Sequence, residues 1–247
     1  MERRAISLKE AIRFDNVHYY SEEDVHIIKG ITGAFYQGEI TTLVGPSGAG
    51  KSTLLKLCNG LLSPVSGDIL LNNKSIQTFT PVELRRNVGI ALQSAPMISG
   101  DVYDNLSLPL QLRGESLPEQ EAKKLLNVVG LGEEYLNRNV KDLSGGQRQK
   151  VSIARTLVNK PEILLLDEIT ASLDQVSTKE INELIVKISE KYGTTIIWIT
   201  HNLQQATVVG TYTWVLMKGE LIESGTCNLL KTSTNEKVQA FVKGELN

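Results

Sequence analysis

Apolar and polar positions along this chain fall into two rhythms. From about residue 12 to 42 they alternate, with glycine-bearing turns between the runs, which predicts a small antiparallel β region. Asp68 to Asn72 (DILLN) continues in that style. Elsewhere the apolar runs are short and uninterrupted: ITTLV at Ile40–Val44, ILLL at Ile163–Leu166, TIIWIT at Thr195–Thr200 and YTWVLM at Tyr212–Met217. Runs of this kind suit strands buried on both faces of a parallel sheet. They alternate with helix-forming stretches near Thr178 to Lys191 and from Leu203, as an α/β core requires. Residues 103 to 160 are mostly helix-forming, with Pro109, Gly114, Pro118, Gly130 and Gly132 as breaks. Ser94 to roughly Leu143 therefore reads as a helical subdomain inserted into the core, followed by a helix from Gln147 to about Asn159.

The first buried run leads into Gly45-Pro46-Ser47-Gly48-Ala49-Gly50-Lys51-Ser52-Thr53, which fits G-x-x-x-x-G-K-[ST] and opens a helix. Strand, glycine turn and helix in this order can aim backbone N–H groups inward at an anion. Glycines permit positive φ and close approach, and the helix N-terminus adds partial positive charge. Lys51 would reach the β- and γ-phosphates, and the Ser52 hydroxyl would help to hold Mg²⁺. A turn matching this pattern by chance, somewhere in a chain of this length, has a frequency of about 1%. The second buried run ends in two acids, Asp167 and Glu168, at the sheet edge where nucleotides bind in α/β folds. Asp167 suits a Mg²⁺ partner and Glu168 a base that polarises attacking water. Taken alone, the two acids would read as solvated, and LSGGQRQ (Leu143 to Gln149) as an ordinary helix N-terminus with Ser144 as its cap.

Composition narrows the classes. At 247 residues and 41% hydrophobic content, one α/β domain over residues 1–247 is expected, with its helical subdomain at approximately 94–143. Net charge is −2 and the basic residues are scattered, so a nucleic-acid footprint is absent. Cys58 and Cys227 lack metal-type spacing and read as reduced thiols. No apolar run approaches the roughly 18 residues of a membrane span, and MERRAISLKEAIRF has no signal-peptide core. A chain that does not itself cross a membrane is expected.

The two glycine motifs, with Gly145 lying 94 residues beyond Lys51, resemble those of the ATP-binding cassette (ABC) family. The resemblance runs from about Phe14 to about Gly225. It implies the ABC ATPase fold: α/β, a P-loop NTPase core with a mostly parallel sheet, an antiparallel β subdomain and an inserted helical subdomain. It implies ATP and Mg²⁺ as ligands and a second copy of the chain in an ATP-sandwich dimer. It also implies a transmembrane permease subunit on a separate chain, which would hold this one at the cytoplasmic face of the membrane.

Carried over by position, Gln93 matches the family glutamine that touches Mg²⁺ and senses the γ-phosphate. Ser144, Gly145, Gly146 and Gln147 match the signature loop that caps the γ-phosphate of the opposite subunit. Ala171 to Asp174 matches the loop crossing the dimer seam, and His201 the switch histidine. Tyr19 and Tyr20 compete to stack on adenine: counting from Asn16 favours Tyr19, counting back from Ile31 favours Tyr20, and Tyr20 is preferred. Ile169 stands where most members carry proline. With Gly100 to Gly114, the stretch DEITASLD is similar to a smaller subgroup that includes a bacterial iron exporter's ATP-binding subunit and a plant relative linked to aluminium tolerance.

The permease would dock near Gln93 and the segment after it. There Met97, Ile98, Val102 and Tyr103 serve either docking or internal packing. Other readings are an importer ATPase for phosphate or amino acids and a soluble non-transport ABC ATPase, as in iron–sulfur assembly. A nucleotide-binding module without hydrolysis fits less well, because Glu168 and His201 are both present.

Overall fold

The computed structural model describes residues 8–245. It opens with strands β1 (Glu10–Tyr20), β2 (His26–Tyr36) and β3 (Ile40–Val44), then helix α1 (Lys51–Cys58), β4 (Ser66–Leu71), β5 (Lys74–Ser75), α2 (Pro81–Asn87) and β6 (Val88–Leu92). Three helices follow: α3 (Val102–Gln111), α4 (Glu119–Val128) and α5 (Gly145–Leu157). The alternation then resumes with β7 (Ile163–Asp167), α6 (Gln175–Tyr192), β8 (Thr195–Ile199), α7 (Leu203–Val209), β9 (Tyr212–Met217) and β10 (Glu220–Thr226). Two short helices, α8 (Leu229–Thr232) and α9 (Glu236–Val242), close the described chain.

The strands form two sheets. One has the order β10-β9-β3-β8-β7-β6, parallel throughout except for the antiparallel edge strand β10. The other, β2-β1-β4-β5, is antiparallel. The alternating region ends before Ile40, because ITTLV is buried along its whole length and takes the centre of the parallel sheet.

Period-two geometry divides the buried runs between two cores. Leu164, Leu166, Ile196 and Trp198 face one side, against α5 and α6. Leu43, Ile163, Leu165, Ile197 and Ile199 face the other, with α1 and the antiparallel sheet. Cys58 lies in this second core, and burial pushes its thiol up, so it remains protonated.

Helix ends depart from the sequence expectation in three places. Pro109 does not break α3, which runs past it to Gln111; near a helix end its missing N–H removes a single bond. α5 starts at Gly145 because Ser144 caps it. α6 starts at Gln175 because Asp174 Oδ1 accepts the Ser177 N–H at 2.9 Å. Among the described residues no helix is long and apolar enough to cross a membrane.

Candidate nucleotide site

The C-terminal ends of β3, β7 and β8 share one edge of the parallel sheet. From β3 the chain turns through Gly45, whose φ is +148° and whose added Cβ would lie 1.9 Å from the Leu216 carbonyl oxygen. This glycine is demanded by the neighbouring strand β9 as well as by any ligand. Ser47 and Gly48 are exposed at the mouth of the loop, Pro46 and Thr53 are half-buried, and the Ala49 methyl turns into the core. Gly50, at φ +96°, is the N-cap of α1.

The Lys51 side chain folds back over its own loop, Nζ donating to the Gly45 oxygen at 2.8 Å and the Pro46 oxygen at 2.9 Å. Burial lowers its pKa, while Glu168 and Asp167 act the other way. A cation held only by two carbonyls is a ready partner for an incoming phosphate. The Ser52 hydroxyl donates to Asp167 Oδ1 at 3.1 Å. This pair of hard oxygen donors fits Mg²⁺, which takes one or two protein oxygens and fills its shell with phosphate and water. Among the described residues no group of three or more His, Cys, Asp or Glu is arranged for a metal.

Glu168 follows β7 in a left-handed conformation, φ +50°, which is uncommon outside glycine. Its N–H donates to the Ile199 oxygen at 3.2 Å, fastening the bend to β8. That bend carries Glu168 Oε1 to 2.6 Å from His201 Nε2. The two side chains line an open cavity of about 870 Å³ with Thr170, Asn182 and Gln205. Asp167 is half-buried; desolvation raises its pKa, the Ser52 hydrogen bond opposes that, and the Glu168 charge adds to it. Ile169 is buried in the core, so the isoleucine changes packing and no reacting group.

Gln93 follows β6 and is exposed. The segment behind it is tied to α5 by residues that the sequence did not single out. Gln149 Nε2 donates to the Leu92 oxygen at 3.2 Å, and Arg155 donates to the Pro96 oxygen at 2.7 Å and Asn105 Oδ1 at 3.2 Å. Fully buried Asn105 in turn grips both the N–H and the carbonyl of Ile98. Arg155 has no carboxylate partner among the described residues, and burial lowers its pKa. In the sequence these three read as ordinary polar positions on helices.

Ser144 and Gln147 form a reciprocal capping box on α5, and Gln147 Nε2 also donates to Tyr135 Oη at 3.0 Å. The Gln147 amide is thus occupied within the chain. Ser144 and Gly145 are exposed; Gly146 is buried, and a Cβ there would meet Ser177 Oγ at 2.7 Å. Tyr20 is exposed and stacks on the His26 ring at 4.1 Å and 7°, whereas Tyr19 packs into the core. The β1–β2 hairpin lies beside the phosphate loop, since Ile27 and Ile28 crowd the Cβ position of Gly50.

Three docking candidates pack against the core. Val102 is fully buried, and the Tyr103 hydroxyl donates to the Leu117 oxygen at 2.6 Å, because both lie on the core side of α3. Met97 packs against the same core, leaving Ile98 exposed with Leu92 nearby in sequence.

A glycine loop at the edge of a parallel sheet, with an acid and a histidine from the next two strands, defines a P-loop nucleotide hydrolase. The family model described as ABC transporter matches residues 28–171. YjkB of Bacillus subtilis (strain 168), named as an ABC transporter ATP-binding protein, is 42% identical over 238 residues, spanning 95% of this chain and 94% of that one. The structure of cbiO1 from Clostridium perfringens, part of the ABC transporter complex cbiONQ, matches with a TM-score of 0.83 and 31% identity over 95% of this chain and 96% of its own. The cassette MJ0796, solved as a dimer in a post-hydrolysis state bound to ADP and Pi, matches with a TM-score of 0.76 and 30% identity over 87% of this chain and 98% of its own. This chain belongs to the ABC transporter family and is an ATP-binding, ATP-hydrolysing subunit of that kind.

Proposed function

We propose that two copies of this chain close head to tail on two ATP molecules and so drive a permease carried on a separate polypeptide, at the cytoplasmic face of the membrane. The observation that carries this reading is the Glu168–His201 pair at 2.6 Å, open to solvent beside the Ser52–Asp167 donors. Each ATP would lie on the phosphate loop of one copy, adenine against Tyr20, triphosphate at Lys51 and Ser52, γ-phosphate near Gln93. Ser144 to Gly146 of the second copy would cap it. In support, no hydrogen bond among the described residues joins Ser144–Gln147 to the phosphate loop or Glu168 of the same chain.

Glu168 would accept the proton of the attacking water, and His201 would hold that carboxylate and the γ-phosphate in register. Mg²⁺ bound at Ser52, Asp167 and Gln93 would offset phosphate charge. Hydrolysis removes the contacts that favour the closed dimer, and the dimer opens. The DEITASLD resemblance favours metal-ion export as the work done.

The test is recovery of partners from detergent-solubilised host membranes with tagged Glu168→Gln chain and ATP. A polytopic membrane protein in stoichiometric amount supports the transporter reading, and loss of metal export on deleting it supports the cargo. Soluble partners alone, with the ATP dimer intact, would replace it with a non-transport ATPase.

A further inference from the structure

We propose that Gln205 is a positioning residue for hydrolysis: one buried amide clamps the segment carrying Glu168 to the segment carrying His201. The inference rests on the roles proposed above for those two side chains. Gln205 lies in the first turn of α7 and is 4% exposed. Its own N–H is satisfied by the cap residue, Asn202 Oδ1, at 2.9 Å, which fixes the start of the helix and the direction of the side chain. The side-chain amide then reaches three different elements. Oε1 accepts from the Thr200 hydroxyl, and Thr200 immediately precedes His201. Nε2 donates to Thr170 Oγ1 at 3.0 Å, two residues past Glu168, and to Asn182 Oδ1 on α6 at 2.7 Å. Both amide protons and the amide oxygen are used. Thr200 Oγ1 also accepts the Asn202 N–H at 3.0 Å, so the loop of His201 is held from both sides.

This matters because Glu168 sits in an uncommon backbone conformation, φ +50°, that its surroundings must over-determine. Apart from its contact with His201, one backbone hydrogen bond, Glu168 N–H to the Ile199 oxygen, fastens it to β8. The Thr170–Gln205–Thr200 bridge is the second fastening, made by side chains at the cavity wall around the buried Gln205 amide. A displacement of the carboxylate by about 1 Å costs on the order of 10²-fold in rate. Lys51 and Ser52, which would carry nucleotide affinity, take no part in the network. The clamp should therefore govern kcat and leave KM alone.

Four variants in a steady-state ATPase assay decide this. Gln205→Met keeps length and volume but loses every bond; kcat should fall about 10- to 100-fold with KM for ATP within about twofold. Gln205→Glu keeps the shape and can accept from both threonine hydroxyls and a flipped Asn182 amide, so it should retain most of kcat. Asn182→Ala removes only the anchor to α6 and should stay within about twofold of wild type. If Gln205→Met does not fold, Thr170→Val must lower kcat by itself. Wild-type kcat in Gln205→Met or in Thr170→Val overturns the proposal, as does a Glu variant no better than Met, or Asn182→Ala matching Met. Glu168→Gln, run alongside, separates the two readings: turnover persisting there defeats the catalytic assignment itself, whatever Gln205 does.

Discussion

Glu168 Oε1 stands 2.6 Å from His201 Nε2 because β7 and β8 are neighbours in register, with Asp167 opposite Ile199. Each strand delivers its side chain one or two residues beyond the same sheet edge. Neither residue could be placed so closely by a loop alone.

Glu168→Gln keeps that shape and removes the proposed proton acceptor. ATP binding should survive and phosphate release should fall by roughly 10²- to 10⁴-fold. Size-exclusion chromatography should then show a dimer that persists with ATP and is absent without it. Normal phosphate release by the variant would take Glu168 out of the mechanism.

Asp167→Asn probes the desolvated carboxylate. Burial raises the Asp167 pKa, so the folded chain holds this proton more readily than the unfolded one. The stabilisation from that proton is fully present below the unfolded carboxylate range and is lost as pH rises through the raised native pKa. At neutral pH the ionised group therefore costs stability in the nucleotide-free chain. The asparagine variant should melt higher than wild type at neutral pH, the gap narrowing as pH falls through the acid range towards the unfolded carboxylate value, while ATP turnover is lost. Thermal melts across that range check the sign; a lower melting temperature at the neutral end contradicts it.

Gly146 meets a packing demand and a proposed phosphate-capping one, and the two can be separated. An alanine there would meet Ser177 Oγ at 2.7 Å and push α5 from α6. Overpacking of this kind costs about 1–3 kcal/mol, or roughly 2–4 °C of melting temperature per kcal/mol at this size. Removing the obstacle with Ser177→Gly should restore the melting temperature of Gly146→Ala to that of the Ser177→Gly single variant. A loss of ATPase activity that survives this rescue marks the second demand, made by phosphate at the loop. Recovery of activity along with stability would leave packing as the whole reason for the glycine.

The proposed permease surface is narrower than the apolar pattern suggests. Ile98→Glu should leave basal ATPase activity unchanged and abolish co-purification of the membrane partner, since Ile98 is 38% exposed and outside the nucleotide site. Tyr103→Glu should instead lower thermal stability, because it forfeits both core packing and the bond to the Leu117 oxygen. If Ile98→Glu still recovers the partner, the docking surface lies elsewhere.

The strands, the order of the two glycine motifs and the Ser144 cap were legible from residues alone. Each depends on neighbours within a few positions: alternation, β-branched runs, Ser144 before a helical stretch. The family resemblance added the candidate roles of Gln93, Glu168 and His201 by order and position.

Only the tertiary structure decided which glycines are crowded, which tyrosine is free and which apolar residues face inward. Gly45 is confined by Leu216, 171 residues away by numbering, through the pairing of β3 with β9. Tyr19 and Tyr20 are equal in sequence, and the hairpin's packing sends one into the core and stacks the other on His26. Val102 is buried and Tyr103 half-buried because α3 packs its apolar side on the core. Gln205, Asn105 and Arg155 look like any polar helical residue until packing leaves Gln205 bonded to Thr170, Asn182 and Thr200, and Asn105 and Arg155 to each other and the backbone. The physical reason is common to all of these: periodicity and capping are short-range, whereas burial and pairing depend on which distant strands and helices become neighbours. That choice is made by packing both faces of the sheet at once.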